Sequence, residues 1–223
     1  MRARHPVPLL ATAALAVVAS GCAFSGHRSD LRSERPRPIG ALGAGFVDPT
    51  APPAPEATIR PKAGSWNAVH PPRGYRVVLL TAGRDPATAT LVRAVNRWAR
   101  GEGVRLRTVE ATQVAAVDGI VQAMELRPDL IVCAGHELVD ALALVTASHL
   151  NQQFLVLGAQ LPEPTINVTA AIWRGASSRG GEVADTAVSF DPEAFTPQQA
   201  GTALRAGVAS VLHDLTGIVI SLD

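Results

Sequence analysis

The sequence predicts an α/β protein: a three-layer, Rossmann-like, mostly parallel sheet of five to six strands in a single lobe. Three observations predict it. Leu130–Cys133 and Phe154–Leu157 are uninterrupted apolar runs, and strands covered on both faces lose the polar alternation of a half-exposed sheet. Between them, Glu137–Leu150 carries Leu138, Val139, Leu142 and Val145 at helical spacing, which makes a parallel β-α-β crossover, right-handed almost without exception. The same alternation of strand and helix patterns runs from Gly74 to the C-terminus. Ligands of open parallel sheets lie beyond the strand C-termini. The candidate address is therefore Gly83-Arg84-Asp85, Gly135-His136-Glu137 and the turn at Gly158.

Residues 1–21 read as a targeting leader, with Arg2 and Arg4 before the apolar stretch Pro8–Val18. That stretch is shorter than the about 20 residues a membrane span needs. It closes on Ala19-Ser20-Gly21-Cys22, which resembles the lipobox of bacterial lipoproteins and implies that Cys22 is lipid-modified. Residues 22–73 are rich in Pro, Gly and Ala without periodicity, so the expectation is a disordered tether of about fifty residues. The folded domain is expected over 74–223.

Tyr75–Leu80 is the first predicted strand. Asp85 caps the following helix, with Pro86 at its first position and Leu91, Val92, Val95 and Trp98 on one face, up to Gly101. Val104–Val109 alternates and is placed near an edge. The second helix is expected to turn Val114, Val117, Ile120, Val121 and Met124 inward, ending before Pro128. After the central unit come a strand over Thr165–Trp173 and a glycine-rich, then acidic, mobile loop over 174–195. Thr196-Pro197-Gln198-Gln199 is a capping box for a helix burying Leu204, Val208, Val211, Leu212 and Leu215. Ile218–Leu222 is a last strand, expected to pair back onto the sheet or onto another copy.

The formal charge of +1 falls to −1 without Arg2 and Arg4, which argues against nucleic acid as a partner. Two cysteines, Cys22 and Cys133, make no disulfide framework, and Cys133 reads as a core residue. His136-Glu137-Leu138-Val139-Asp140 lacks the second histidine of a zinc-binding helix. Ser177, His136 and Asp85 lack a nucleophile elbow. The turn at Gly83 is no dinucleotide fingerprint. No cofactor, metal or catalytic residue is expected. His149 and His213 read as solvated helix residues.

Three stretches, RPDLIVCAGHELVDAL, QFLVLGA with INVTAAIW, and QAGTALRAGVASVLHDLTGIVISL, are similar in order to the first lobe of the basic membrane protein family of substrate-binding lipoproteins. The resemblance implies a periplasmic-binding-protein-like lobe and binding of a nucleoside-like solute for an ABC-type transporter. It carries over only Asp85, the Gly135 turn and Trp173 as ligand-binding candidates. The chain ends where that family's second lobe would begin, and Ala159 stands in place of its aspartate. The reading is a non-enzymatic, lipid-anchored lobe on the outer face of the cell membrane that takes a small molecule at the strand ends. The alternative is an interaction lipoprotein whose pocket is lost and which docks a protein partner or a second copy as a homodimer.

Cys22→Ser is expected to move the protein from the membrane to the soluble fraction. Unchanged fractionation, or a mature N-terminus without lipid in mass spectrometry, contradicts the anchor.

Overall fold

The computed structural model describes residues 36–176 and 190–222. The expected leader, Cys22, the part of the expected tether up to Arg35 and the centre of the 174–195 segment lie outside the described residues. Seven strands form one all-parallel sheet: β1 (Thr58–Ile59), β2 (Arg76–Ala82), β3 (Arg105–Ala111), β4 (Leu130–Ala134), β5 (Phe154–Leu157), β6 (Val168–Ile172) and β7 (Val219–Ser221), in the order β1-β7-β6-β5-β4-β2-β3. Among the described residues four α-helices accompany them: α1 (Pro86–Glu102), α2 (Ala116–Glu125), α3 (Val139–Val145) and α4 (Pro197–Leu212). Set aside β1 and count from β2, and the order is the doubly wound, flavodoxin-like one extended by a strand.

The two faces of the sheet carry separate cores. One joins Val77, Leu79, Val132, Leu155 and Ile220 to α1 and α4. The other joins Leu80, Ile131, Cys133, Phe154 and Val156 to α2 and α3. Every residue of β4 and β5 is buried, as their unbroken apolar runs require. Cys133 is free and fully buried, and burial pushes its thiol above the ordinary value.

Helix α1 begins where its signals place it. The Asp85 carboxylate accepts from Thr88 N at 3.0 Å, Pro86 opens the first turn, and Gly103, two residues beyond the expected stop, caps the other end in the left-handed conformation. Thr196 caps α4 by accepting from Gln199 N at 3.2 Å. The middle helix is shorter than expected: 136–138 and 146–148 are single 3-10 turns on either side of α3.

Asn167 explains how that short helix is anchored. Its fully buried amide nitrogen lies within 3.0–3.2 Å of the carbonyls of Thr146, His149 and Gln152. One side chain thus ties the turn after α3 to the start of β6, adding a second bond to the Thr146 and His149 carbonyls, which also accept backbone N–H groups, and one to Gln152 O.

Two expectations are corrected. Helix α2 faces the sheet with Ala116, Gly119, Ile120 and Ala123, while Val114, Val117 and Val121 are exposed. Both stripes have helical spacing; the small one wins because it lets the helix sit close against β3. His213 is not a solvated helix residue: it is partly buried, its Nε2 has no hydrogen-bond partner, and desolvation lowers its pKa despite the nearby Asp214 charge.

The larger correction concerns the tether. Residues 36–73 pack onto the domain. Phe46 and Trp66 are buried in the α1/α4 core, ring edge to ring face with centroids 6.4 Å apart. Ile39 pairs with His70 in an antiparallel bridge, and the His70 ring lies 2.9 Å from Glu102 at the end of α1. Glu56 N donates to Gly217 O at 2.7 Å, and β1 pairs with Val219–Ile220. The segment therefore covers the open side of β7, so no second copy is needed there. Composition misled because two aromatics and a two-residue strand are enough to dock a proline-rich chain.

Trp66→Ala is expected to cost about 3–5 kcal/mol in denaturant unfolding, the range for emptying a buried aromatic site. A tether residue would give no measurable change.

Candidate functional site

The chain crosses from β2 to β3 in one direction and from β4 onward in the other, so the β2/β4 neighbours form the topological switch point. Arg76 and Asp129 pin these strands at their N-terminal ends. The Arg76 N–H donates to Asp129 Oδ2 at 2.8 Å and its guanidinium to Oδ1 at 2.6 Å. That hydrogen bond and charge raise the Arg76 pKa further. At the C-terminal ends, the turn after β4 lies against the turn after β2. A Cβ on Gly135, which has φ +116°, would stand 2.6 Å from the Ala82 carbonyl oxygen and 3.2 Å from Thr88 Oγ1. Only glycine fits both that backbone and that space.

This brings Gly83, Arg84, Asp85, Gly135, His136 and Glu137 together. Asp85 is committed to its cap, accepting from Thr88 Oγ1 at 2.6 Å as well as from its N–H. Burial raises its pKa, but these hydrogen bonds outweigh that and leave it below the ordinary carboxylate value. The Glu137 carboxyl lies over Gly83, 3.2 Å from where a Cβ would be. His136 is exposed and rests on the Phe190 ring, centroids 5.1 Å apart.

Gly158 lies beside the Gly135 turn, on the neighbouring strand, and lines a small cavity with Gly135 and His136; towards Trp173, at the end of β6, the cleft is filled. Trp173 is 3 % exposed, donates Nε1–H to the Ala194 carbonyl at 2.9 Å, and meets Phe195 edge to face at 5.0 Å. Phe190 packs against Phe195 with the rings tilted and their centroids 5.4 Å apart. A Cβ on Gly158 would collide with the Phe195 ring at 2.6 Å. The described ends of the 174–195 segment are therefore ordered: Asp191 N also donates to Gly175 O at 2.9 Å.

On the other side of the switch point the cleft is open. A groove of about 840 Å³ runs between α1 and the edge strand β3, lined by Gly83, Arg84, Arg93, Glu110, Glu137 and a set of threonines. Its floor is Thr81, 8 % exposed, whose hydroxyl has no hydrogen-bond partner. Sequence reasoning missed Thr81, Thr108, Glu110, Gln113 and Arg93, all of which line the groove. Thr108 and Glu110 share the face of β3 that carries Leu106, so the alternation that marked an edge strand also held this signal. No cluster of metal-ligating side chains occurs among the described residues.

The chain matches no protein-family profile and no curated protein. Among solved structures, it is similar to an ABC transporter system solute-binding protein from Aeropyrum pernix K1, with TM-score 0.40 and 20% identity over 45% of this chain and 29% of that one. A second, from Conexibacter woesei DSM 14684, gives TM-score 0.37 and 17% identity over 45% and 36%. A fragment assigned as a lipoprotein from Peptoclostridium difficile 630 gives TM-score 0.44 and 14% identity over 63% and 99%. The chain spans about a third of the length of the two solute-binding proteins. With TM-scores this low, the functional reading rests on the chain's own geometry.

Asp85→Ala is expected to lower stability by about 1 kcal/mol near neutral pH. Because the folded carboxylate has the lower pKa, its contribution is present above the unfolded value, about 3.9, and is lost as pH falls through the folded one. The difference between parent and variant should therefore shrink on acidification. A pH-independent difference contradicts a charged cap.

Proposed function

We propose that the chain is a membrane-anchored, extracytoplasmic solute-binding lobe, of the periplasmic-binding-protein type, that takes a small polar molecule in the α1/β3 groove for an ABC-type uptake system. The observation that carries this reading is the Thr81 hydroxyl, buried at the groove floor without a partner. A hydroxyl withdrawn from bulk water costs free energy unless something bonds it. Among the buried unpartnered side-chain atoms of the described residues, Thr81 Oγ1 is the one at the groove, and a solute that shifts the groove floor slightly on binding supplies that bond. The volume falls in the range of small-molecule sites, about 300–1,000 Å³. Only residues 23–35 separate Cys22 from Pro36, a reach of at most about 50 Å even fully extended. A lipid on Cys22 would hold the groove close to the bilayer, where a transporter sits.

The aromatic filling at Gly158 favours a second reading, an interaction lipoprotein with a closed pocket. It accounts for the β5/β6 end but leaves the open groove and Thr81 unexplained.

A thermal-shift screen of the leader-free chain against nucleosides, amino acids and sugars separates the two. A solute at about a hundred times its Kd adds about 2.7 kcal/mol, which raises Tm by about 5–10 °C for a chain of this size. Thr81→Val should reduce that rise. If no solute class moves Tm, the solute-binding reading falls and the partner reading stands.

A further inference from the structure

We propose that the solute is a zwitterion, its carboxylate met by Arg93 and its ammonium group by Glu137. This rests on the groove being the solute site and deepens that reading.

The groove carries two cations and two anions, Arg84, Arg93, Glu110 and Glu137. Arg84 and Glu110 face each other at 3.5 Å across its exposed mouth and neutralise one another. Arg93 is exposed and, among the described residues, donates only to the Thr90 hydroxyl at 2.8 Å. Among the described residues, neither Arg93 nor Glu137 has an ion-pair partner. One unmatched cation and one unmatched anion therefore line one groove whose formal charge sums to zero.

A polyanion would meet Glu137 and Glu110 as like charges, and a polyamine would meet both arginines. A solute carrying one charge of each sign satisfies both groups at once. The rest of the lining agrees: Thr81, Thr108, Thr112 and Gln113 offer hydroxyl and amide bonds, and among the described residues no aromatic side chain lines the groove. A purine or pyrimidine would find no ring to stack on, so a nucleoside fits less well than an amino acid or short peptide. Gly83 takes part through its missing side chain. With φ +83° and the Glu137 carboxyl only 3.2 Å from a would-be Cβ, the glycine lets that carboxylate lie against the backbone at the groove wall.

The test uses the leader-free chain, titrated by calorimetry with zwitterions of rising span (L-alanine, glycylglycine, triglycine) and with adenosine and glucose as neutral solutes. The N-acetyl and amide forms of the tightest zwitterion each remove one charge. Amide NMR shifts at Gly83 and Arg84 report whether binding is in the groove. The expected result is that each single-charge form binds about tenfold or more weakly, the scale of one lost charge-assisted hydrogen bond. Glu137→Gln should erase the preference over the N-acetyl form, and Arg93→Gln the preference over the amide. Equal binding of the single-charge forms, or tighter binding of adenosine or glucose in the groove, overturns the zwitterion assignment and leaves the solute-binding reading intact. If no probe binds in the groove at millimolar concentration, both are overturned.

Discussion

The pairing of β2 with β4 is the constraint on which the rest depends. These parallel neighbours are clamped at one end by Arg76–Asp129. At the other end the Gly135 turn is pressed against Ala82 and Thr88. Because crossovers leave this pair in opposite directions, α1 covers one face and α2 and α3 the other. The strand interiors are left dry. Polar chemistry is then expelled to the strand ends, since an unpaired polar group inside a doubly covered sheet is costly. The candidate site lies beside the switch point for that reason.

What the sequence made legible follows the strength of the local signal. Phe154–Leu157 coincides with β5 because a strand buried on both faces must be apolar throughout. Asp85-Pro86 and Thr196-Pro197 marked helix starts because a cap is a local hydrogen bond between near neighbours. Helix α2 was harder, since two interleaved stripes obey the same period and only proximity to β3 chooses between them. Residues 36–73 were illegible because their order comes from the domain: Trp66 is buried by α1 and α4, and β1 exists only as an addition to β7. The half of the site built from strand-end turns was visible, whereas Arg93 and Thr108 reach the groove through the packing of α1 on β3.

The cleft is asymmetric in a way that bears on function. A lobe that shares its solute with a second lobe leaves its strand ends open to both. Here the β5/β6 end is occupied by Trp173, Phe190 and Phe195, fixed by the Trp173–Ala194 hydrogen bond, while the β2/β3 end stays open beside a charged rim. Filling with aromatics protects the Gly158 turn from water and shifts the accessible polar surface to one side. The result is a one-sided groove at an edge strand rather than a central crevice.

A crystal structure of the leader-free chain grown with a solute that raises its melting temperature tests this account most directly. The account predicts solute density between α1 and β3, with an atom within hydrogen-bond distance of Thr81 Oγ1 and the Trp173–Phe195 contact unchanged. Density between Trp173 and Phe195, with those rings displaced and the α1/β3 groove left to water, would contradict it.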